Sequence, residues 1–98
     1  MRFEWDERKR RLNLAKHGID FGELELLFRG PISDRADSRR EYGEARSIAV
    51  GRLGGIIVSV VYTWRGGTRR IISARRANRH EREDFYRYTA EEGRQGSD

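Results

Sequence analysis

The first residues alternate apolar and polar, Phe3-Glu4-Trp5, which is the period of a strand that buries one face. The period then lengthens. Residues 7–17 contain no Gly or Pro and are rich in helix formers, with Asp6 placed to cap the start and Gly18 to stop the end. Leu12 and Ala15 are its expected inward face, narrow because Arg8, Lys9, Arg10, Arg11, Lys16 and His17 make the rest basic. A second helix is predicted directly afterwards. Asp20 and Glu23 form a capping-box pattern, and Ile19 with Leu24 occupies the staple positions. Phe21, Leu24, Leu27 and Phe28 share a face, and Gly30-Pro31 closes the helix.

Polar and charged residues then dominate from 32 to 45, which reads as a short edge strand near Ile32 and Ser33 followed by a mobile loop. Residues 46–52 set Ile48 and Val50 against Ser47, Ala49 and Gly51, the alternation of a half-buried strand. Residues 56–64 are apolar on both faces, as a central strand is. Gly54-Gly55 and Gly66-Gly67 are turn signals, and residues 68–74 return as the last strand. Asn78 and Glu81 form another capping box and open a helix from 79 to about 91, with Phe85 and Tyr88 inward. The order is a short strand, two helices, an antiparallel meander of about four strands and a C-terminal helix. That is an α+β domain, placed at residues 1–92, with a small polar tail at 93–98 expected to be disordered.

Composition adds a partner. The 98 residues carry a net charge of +5, with 38% charged and 36% hydrophobic positions. Of the 21 basic residues only Lys9 and Lys16 are lysine. Such a balance favours an anionic partner, nucleic acid before an acidic protein or a membrane surface; a merely soluble basic surface is the plainer alternative. The chain has no Cys, which excludes disulfides and thiolate metal sites. Its charged start argues against a secretory signal, and its apolar runs are far short of the ~20 residues a membrane span needs, so a cytoplasmic protein is expected.

The basic residues cluster. Between 65 and 82 stand seven arginines and His80 against one carboxylate, Glu81. Guanidinium forks grip phosphate oxygens in pairs. Strict alternation puts Arg70, Ile72, Ala74 and Arg76 on one face and Arg69, Ile71, Ser73 and Arg75 on the other. Ion pairs with Glu41, Glu44 or the acidic start of the last helix would explain one or two of these arginines without any ligand.

Metal-free RNA cleavage needs a base for the 2′-OH proton, cations at the phosphorus and an acid for the leaving 5′-oxygen. The imidazole candidates are His17, at a helix end where the dipole favours a cation, and His80, one residue into the last helix. Glu44 beside Arg46 is a further candidate base; a structural ion pair is equally economical. Tyr62 and Trp64, on one face of the central strand, either stack bases or belong to the core. Asp34, Asp37, Glu41 and Glu44 lack the spacing of a metal site, and no cofactor motif appears, so neither metal nor cofactor is expected.

Phe3-Glu4-Trp5-Asp6, Lys9, Asn13, Lys16-His17-Gly18 and Phe21 resemble the opening of the BrnT family of type II toxins. Gly43-Glu44-x-Arg46, Val60-Val61-Tyr62-Thr63, the run from Arg70 through Ala77, Glu81-Arg82 and Tyr86 are similar to that family as well. The resemblance implies a RelE-like ribonuclease that stops growth. It also implies a cognate antitoxin with a ribbon-helix-helix part, through which operator DNA is contacted. Lys16, His17, Glu44, Arg46, Arg70, Ser73, Arg75, Arg76 and Arg82 match the family pattern. On this reading Arg70, Arg75 and Arg76 are phosphate clamps, Lys16, His17 and Glu44, with Arg46 beside it, serve proton transfer or positioning, and Arg69, Ser73, Arg82 and Tyr62 contact RNA. A non-catalytic RNA- or ribosome-binding module is the competing class, and an adaptor docking an acidic protein a third. Turnover of RNA separates the first from the others.

Overall fold

The computed structural model describes residues 1–96, and the side chains of residues 1–90. In order, the elements are β1 (Arg2–Trp5), α1 (Glu7–His17), a 3₁₀ turn (Phe21–Glu23), α2 (Leu24–Arg29), β2 (Ile32–Ala36), β3 (Ser47–Leu53), β4 (Ile56–Arg65), β5 (Thr68–Arg76) and α3 (Arg79–Gly96). The tail expected at 93–98 falls on residues whose side chains, and at 97–98 whose backbone, lie outside that description.

β2 to β5 form the expected antiparallel meander, and the sheet order is β1-β5-β4-β3-β2. β1 joins it by pairing parallel to β5, from Arg2 beside Thr68 to Trp5 beside Ile71, so the five-stranded sheet is mixed. β4 is central and buried along most of its length, as its two apolar faces require. One face meets α2 and the 3₁₀ turn through Phe21, Leu24, Leu27, Phe28, Val58, Val60 and Tyr62. The other meets α3 through Ile48, Val50, Ile57, Val61 and Phe85. At Gly51 an added Cβ would lie 2.9 Å from Leu27, so α2 rests directly on β3 backbone. Gly66 and Gly67 have φ of 56° and 82°, the left-handed pair that a tight hairpin between β4 and β5 needs.

Four expectations change. The second helix begins as a 3₁₀ turn, with Asp20 accepting from the Gly22 N–H, and the α-helix proper starts at Leu24. Tyr88, expected inward, is exposed while Phe85 is buried. The inward residue of α1 is neither Leu12 nor Ala15, both of which are exposed, but Asn13. β1 pairs with β5 only as far as Ile71, so the edge of β5 beyond it is open to α1. There the Asn13 carboxamide accepts from the Ala74 N–H at 3.1 Å and donates to the Ile19 carbonyl at 3.0 Å. A leucine at this position would leave both backbone groups unpaired.

The fourth concerns which face each β5 side chain takes. Tyr62 pairs with Ile71 but Val61 with Ser73, leaving Ile72 as the extra residue of a β-bulge. Alternation is broken there. Arg70, Ile72, Ser73 and Arg75 share the α3 side, and Arg69, Ile71, Ala74 and Arg76 the α2 side, so the arginine pairs expected from strict alternation are exchanged.

Asn13→Ala should therefore destabilise the fold by about 2–4 kcal/mol, since two buried backbone groups lose their partners. Urea unfolding midpoints would read this, and a cost no larger than that of an exposed substitution would contradict it.

Candidate functional site

The expected site residues are sorted by the fold into three places. The first is the open part of the sheet over β5. α3 packs mainly on β3 and β2, which leaves Arg70 and Ser73 half-exposed on the same side. Beside Ser73, across the open edge, one face of α1 completes a shallow groove of about 320 Å³ lined by Lys9, Leu12, Lys16, His17, Ile72 and Ser73. Asn13 sets this arrangement, because its two hydrogen bonds fix the rotation of α1 about its own axis. Asp6 caps the helix at the Lys9 N–H, and Gly18 ends it at φ 71° with its N–H on the Leu14 carbonyl, so His17 sits in the final turn. No ion pair among the described residues involves Lys9, Lys16 or His17.

The arginines of this face are not all available. Arg70 Nη1 lies 2.7 Å from Glu4 Oε2, across the β1 and β5 pairing, with both side chains partly exposed. An exposed pair of this kind is worth at most about 1 kcal/mol, so a phosphate can take the place of Glu4. Arg75 is held harder. Its fork donates to both Glu81 oxygens, at 2.8 and 3.0 Å, and Glu81 also accepts from the Asn78 N–H to cap α3. Glu81 is nearly buried, at 9% exposure of its side chain. Arg75, expected as a phosphate clamp, thus serves in this fold as a strut between β5 and α3.

Glu44 does not join the groove. Its carboxylate meets Arg46 at 3.3 Å and Arg65 at 3.9 Å, on the far side of β4 from the open edge of β5. Arg46 lies over the Tyr42 ring, 4.1 Å from its centroid, and Thr63 Oγ1 donates to the Ala45 carbonyl. The same segment, expected as a mobile loop, contains a buried carboxylate. Asp37 accepts from the backbone and side chain of Arg39, and that guanidinium holds its carboxyl well below the usual carboxylate range.

The second place is the C-terminal end of β5, where Arg76 and Arg82 share a separate groove with Tyr86. Arg76, expected in the catalytic group, thus lies apart from the groove of Lys16, His17 and Ser73. The third is the core. Arg69 is 7% exposed, with its guanidinium carbon 4.0 Å from the Phe28 ring centroid, 4.4 Å from Trp64 and 4.7 Å from Tyr62. Tyr62 is 1% exposed and donates its hydroxyl to Asp34. Burial and the Asp34 bond push that phenol up, and the neighbouring Arg69 offsets part of the shift. Both side chains, expected at an RNA-contacting surface, lie instead in the core of this fold. His80 is exposed on α3 and pairs with Asp84.

A model of ribonuclease toxins, BrnT, of type II toxin–antitoxin systems matches residues 5–81. The chain belongs to this family. Among curated proteins none matches it. Lys16, His17, Glu44, Arg46, Arg70, Ser73, Arg75 and Arg76 lie within the matched span, and Arg82 just beyond it. Family membership implies a type II ribonuclease toxin with a cognate antitoxin. No helix among the described residues of this toxin is long and apolar enough to cross a membrane.

Glu81 gives the acid response a sign. Burial pushes its carboxyl up, but the Arg75 guanidinium and the Asn78 N–H outweigh this and hold it below the ordinary value of 4.5. A carboxyl depressed in the folded state contributes stability above its unfolded value, lost as pH falls through the folded value. Glu81→Gln should cost about 1–2 kcal/mol at neutral pH, after discounting for the exposure of Arg75. The gap to the parent should close at pH well below 4.5. Urea midpoints at the two pH values measure it, and a gap that does not narrow would refute the latch.

Proposed function

We propose that this toxin cuts RNA without a metal ion, by attack of a 2′-OH on the adjacent phosphorus, at the groove where Lys16, His17 and Ser73 meet the face bearing Arg70. The new bond joins the 2′-oxygen to phosphorus while the bond to the 5′-oxygen breaks, leaving a 2′,3′-cyclic phosphate. The 2′-OH proton is lost as that bond forms and the departing 5′-oxygen gains one, and His17 serves this transfer. Lys16 and Arg70, released from Glu4, offset the charge that develops on the phosphate. Ser73 offers a hydroxyl beside them.

The observation that carries this reading is the lining of the groove, which brings imidazole, ammonium and hydroxyl together with no carboxylate among them. Proton transfer and anion stabilisation use that set; a hard divalent cation prefers carboxylate oxygens. Glu44, Arg46 and Arg65 lie across the sheet and act as an outer cluster that receives the RNA chain. On the same reading the cognate antitoxin carries a ribbon-helix-helix part that supplies operator contact, and the toxin acts in the cytoplasm.

One observation favours a second reading. Arg70 and Arg75 are both paired within the chain, which suits a non-catalytic RNA- or ribosome-binding module better than a transition-state clamp. Incubation of the full chain with single-stranded RNA in excess chelator separates the two. Fragments ending in cyclic phosphate support the enzyme, whereas intact RNA in a shifted complex supports the binder. His17→Asn should slow cleavage by about 10²–10⁴-fold while RNA affinity changes little. Arg70→Ala should slow it by about 10²–10³-fold. Unchanged rates in both variants would remove the groove from the reaction.

A further inference from the structure

β5 runs out of the first groove at Ser73 and into a second at Arg76, three residues or about 10 Å further on at ~3.3 Å per residue. The second groove, about 210 Å³, is walled by Ile56, Ile57 and Ala77 and carries Arg76, Arg82 and Tyr86. Its corner is fixed by the Ala77 N–H, which bonds the Ile57 carbonyl at 2.9 Å. Gly55 borders the groove where the surroundings are open, with no atom within 4 Å of the position a Cβ would take.

The charge here differs from that on the rest of β5. Arg69 is buried among aromatic rings, Arg70 is paired with Glu4 and Arg75 with Glu81. Arg76 is exposed, and its side chain has no hydrogen bond or ion pair among the described residues. Arg82 Nη1 donates to the Ala77 carbonyl at 2.8 Å, which steadies its fork at the mouth of the groove without neutralising it. Among the described residues no carboxylate lines the site. Tyr86 stands one helical turn beyond Arg82 and is 49% exposed, backed by the Phe85 ring at 6.1 Å. Two unneutralised guanidiniums beside an exposed, supported aromatic ring are the parts of a single-strand nucleotide site.

We propose that this groove is a second RNA subsite, in which Arg76 and Arg82 hold a phosphodiester away from the scissile one and Tyr86 stacks the adjoining base. The assignment rests on RNA being the substrate. It makes the bound strand cross the end of β5, with reaction on the α3 side at Ser73 and anchoring at the strand end, where Arg76 reaches in from the opposite face. Stacking on a phenol is tolerant of base identity, so the subsite adds affinity and length dependence rather than a base preference.

Arg76→Ala and Tyr86→Leu, made separately in the full chain, test it against a single-stranded RNA long enough to span both grooves and an oligonucleotide that fills only the first. With the long RNA, KM should rise by about tenfold in each variant, the size of one lost stack or phosphate contact, and kcat should fall by much less. In Arg76→Ala the slope of log affinity against log salt should shrink by about 0.7, one phosphate's share for a single strand. With the short RNA the same variants should lose far less. Equal losses on both lengths, or a fall confined to kcat, would place Arg76 in the reaction and overturn the subsite. Variants indistinguishable from the parent on the long RNA would overturn it too, while leaving the cleavage reading intact. A parent chain that neither cuts nor binds RNA would remove both proposals. Should it bind without cutting, the same length-dependent losses in fluorescence anisotropy support the subsite and their absence overturns it.

Discussion

A single buried carboxamide decides where the basic helix of this toxin can sit. β1 is too short to cover the whole edge of β5, and an uncovered strand edge presents backbone groups that must bond something. Asn13 bonds the Ala74 N–H in place of a neighbouring strand, and at the same time holds the Ile19 carbonyl of the chain leaving α1. Each such bond is worth only about 1 kcal/mol net, but either group left unpaired would cost about 1–3 kcal/mol. This asymmetry fixes α1 more sharply than its hydrophobic residues can, because Leu12 and Leu14 stay largely exposed. With the rotation of α1 set, the i+3 and i+4 positions, Lys16 and His17, fall beside Ser73. The geometry of the proposed site and the stability of the fold thus depend on one side chain.

Arg69 shows how differently neighbouring arginines can be used. A buried guanidinium without a carboxylate is costly, and Nε of Arg69 has no hydrogen-bond partner among the described residues. Four rings offset that cost. Phe3, Phe28, Tyr62 and Trp64 all place their centroids within 5.9 Å of its charged carbon. Desolvated cation–π contacts can each reach about 2 kcal/mol. Tyr62 passes its hydroxyl to Asp34 on β2, so a carboxylate faces this cation through one intervening phenol. The aromatic cluster that ties β1 and α2 to the sheet is therefore organised about a positive charge, and a neutral substitute of equal length would leave the cage loose.

Much of the fold was legible because it follows from period and punctuation. The doubly apolar run of β4, the Gly66-Gly67 hairpin and the Asn78–Glu81 capping box all form as their residues require. What was illegible depends on long-range pairing. Nothing local in Phe3-Glu4-Trp5 says that it runs parallel to residues near 70, or that it stops short and leaves an edge for α1. The bulge at Ile72 was equally hidden, since Ile71-Ile72-Ser73 reads as an ordinary strand. At the site, Lys16, His17 and Ser73 were legible as types and the structure brings them together. Arg69 and Tyr62 were not, because the aromatic partners of that cation come from three separate elements, β1, α2 and β4. Arg65 and Glu4, which pair with two expected site residues, carry no sequence signal beyond their charge.

The pairing pattern also explains how a chain this basic can fold before it meets an anion. Clustered like charges on one strand repel, and the compact state would suffer if all were left bare. Carboxylates from four different elements or loops relieve this: Glu4 on β1, Asp20 before the 3₁₀ turn, Glu44 before β3 and Glu81 on α3. They do so unequally. Where the carboxylate is exposed, as at Glu4, the arginine can be exchanged to a phosphate at little cost, whereas Glu81 is buried and hydrogen-bonded and keeps Arg75. Burial of the acid partner, rather than the position of the arginine, therefore sorts the β5 cations into those that hold the sheet to α3 and those a polyanion can recruit.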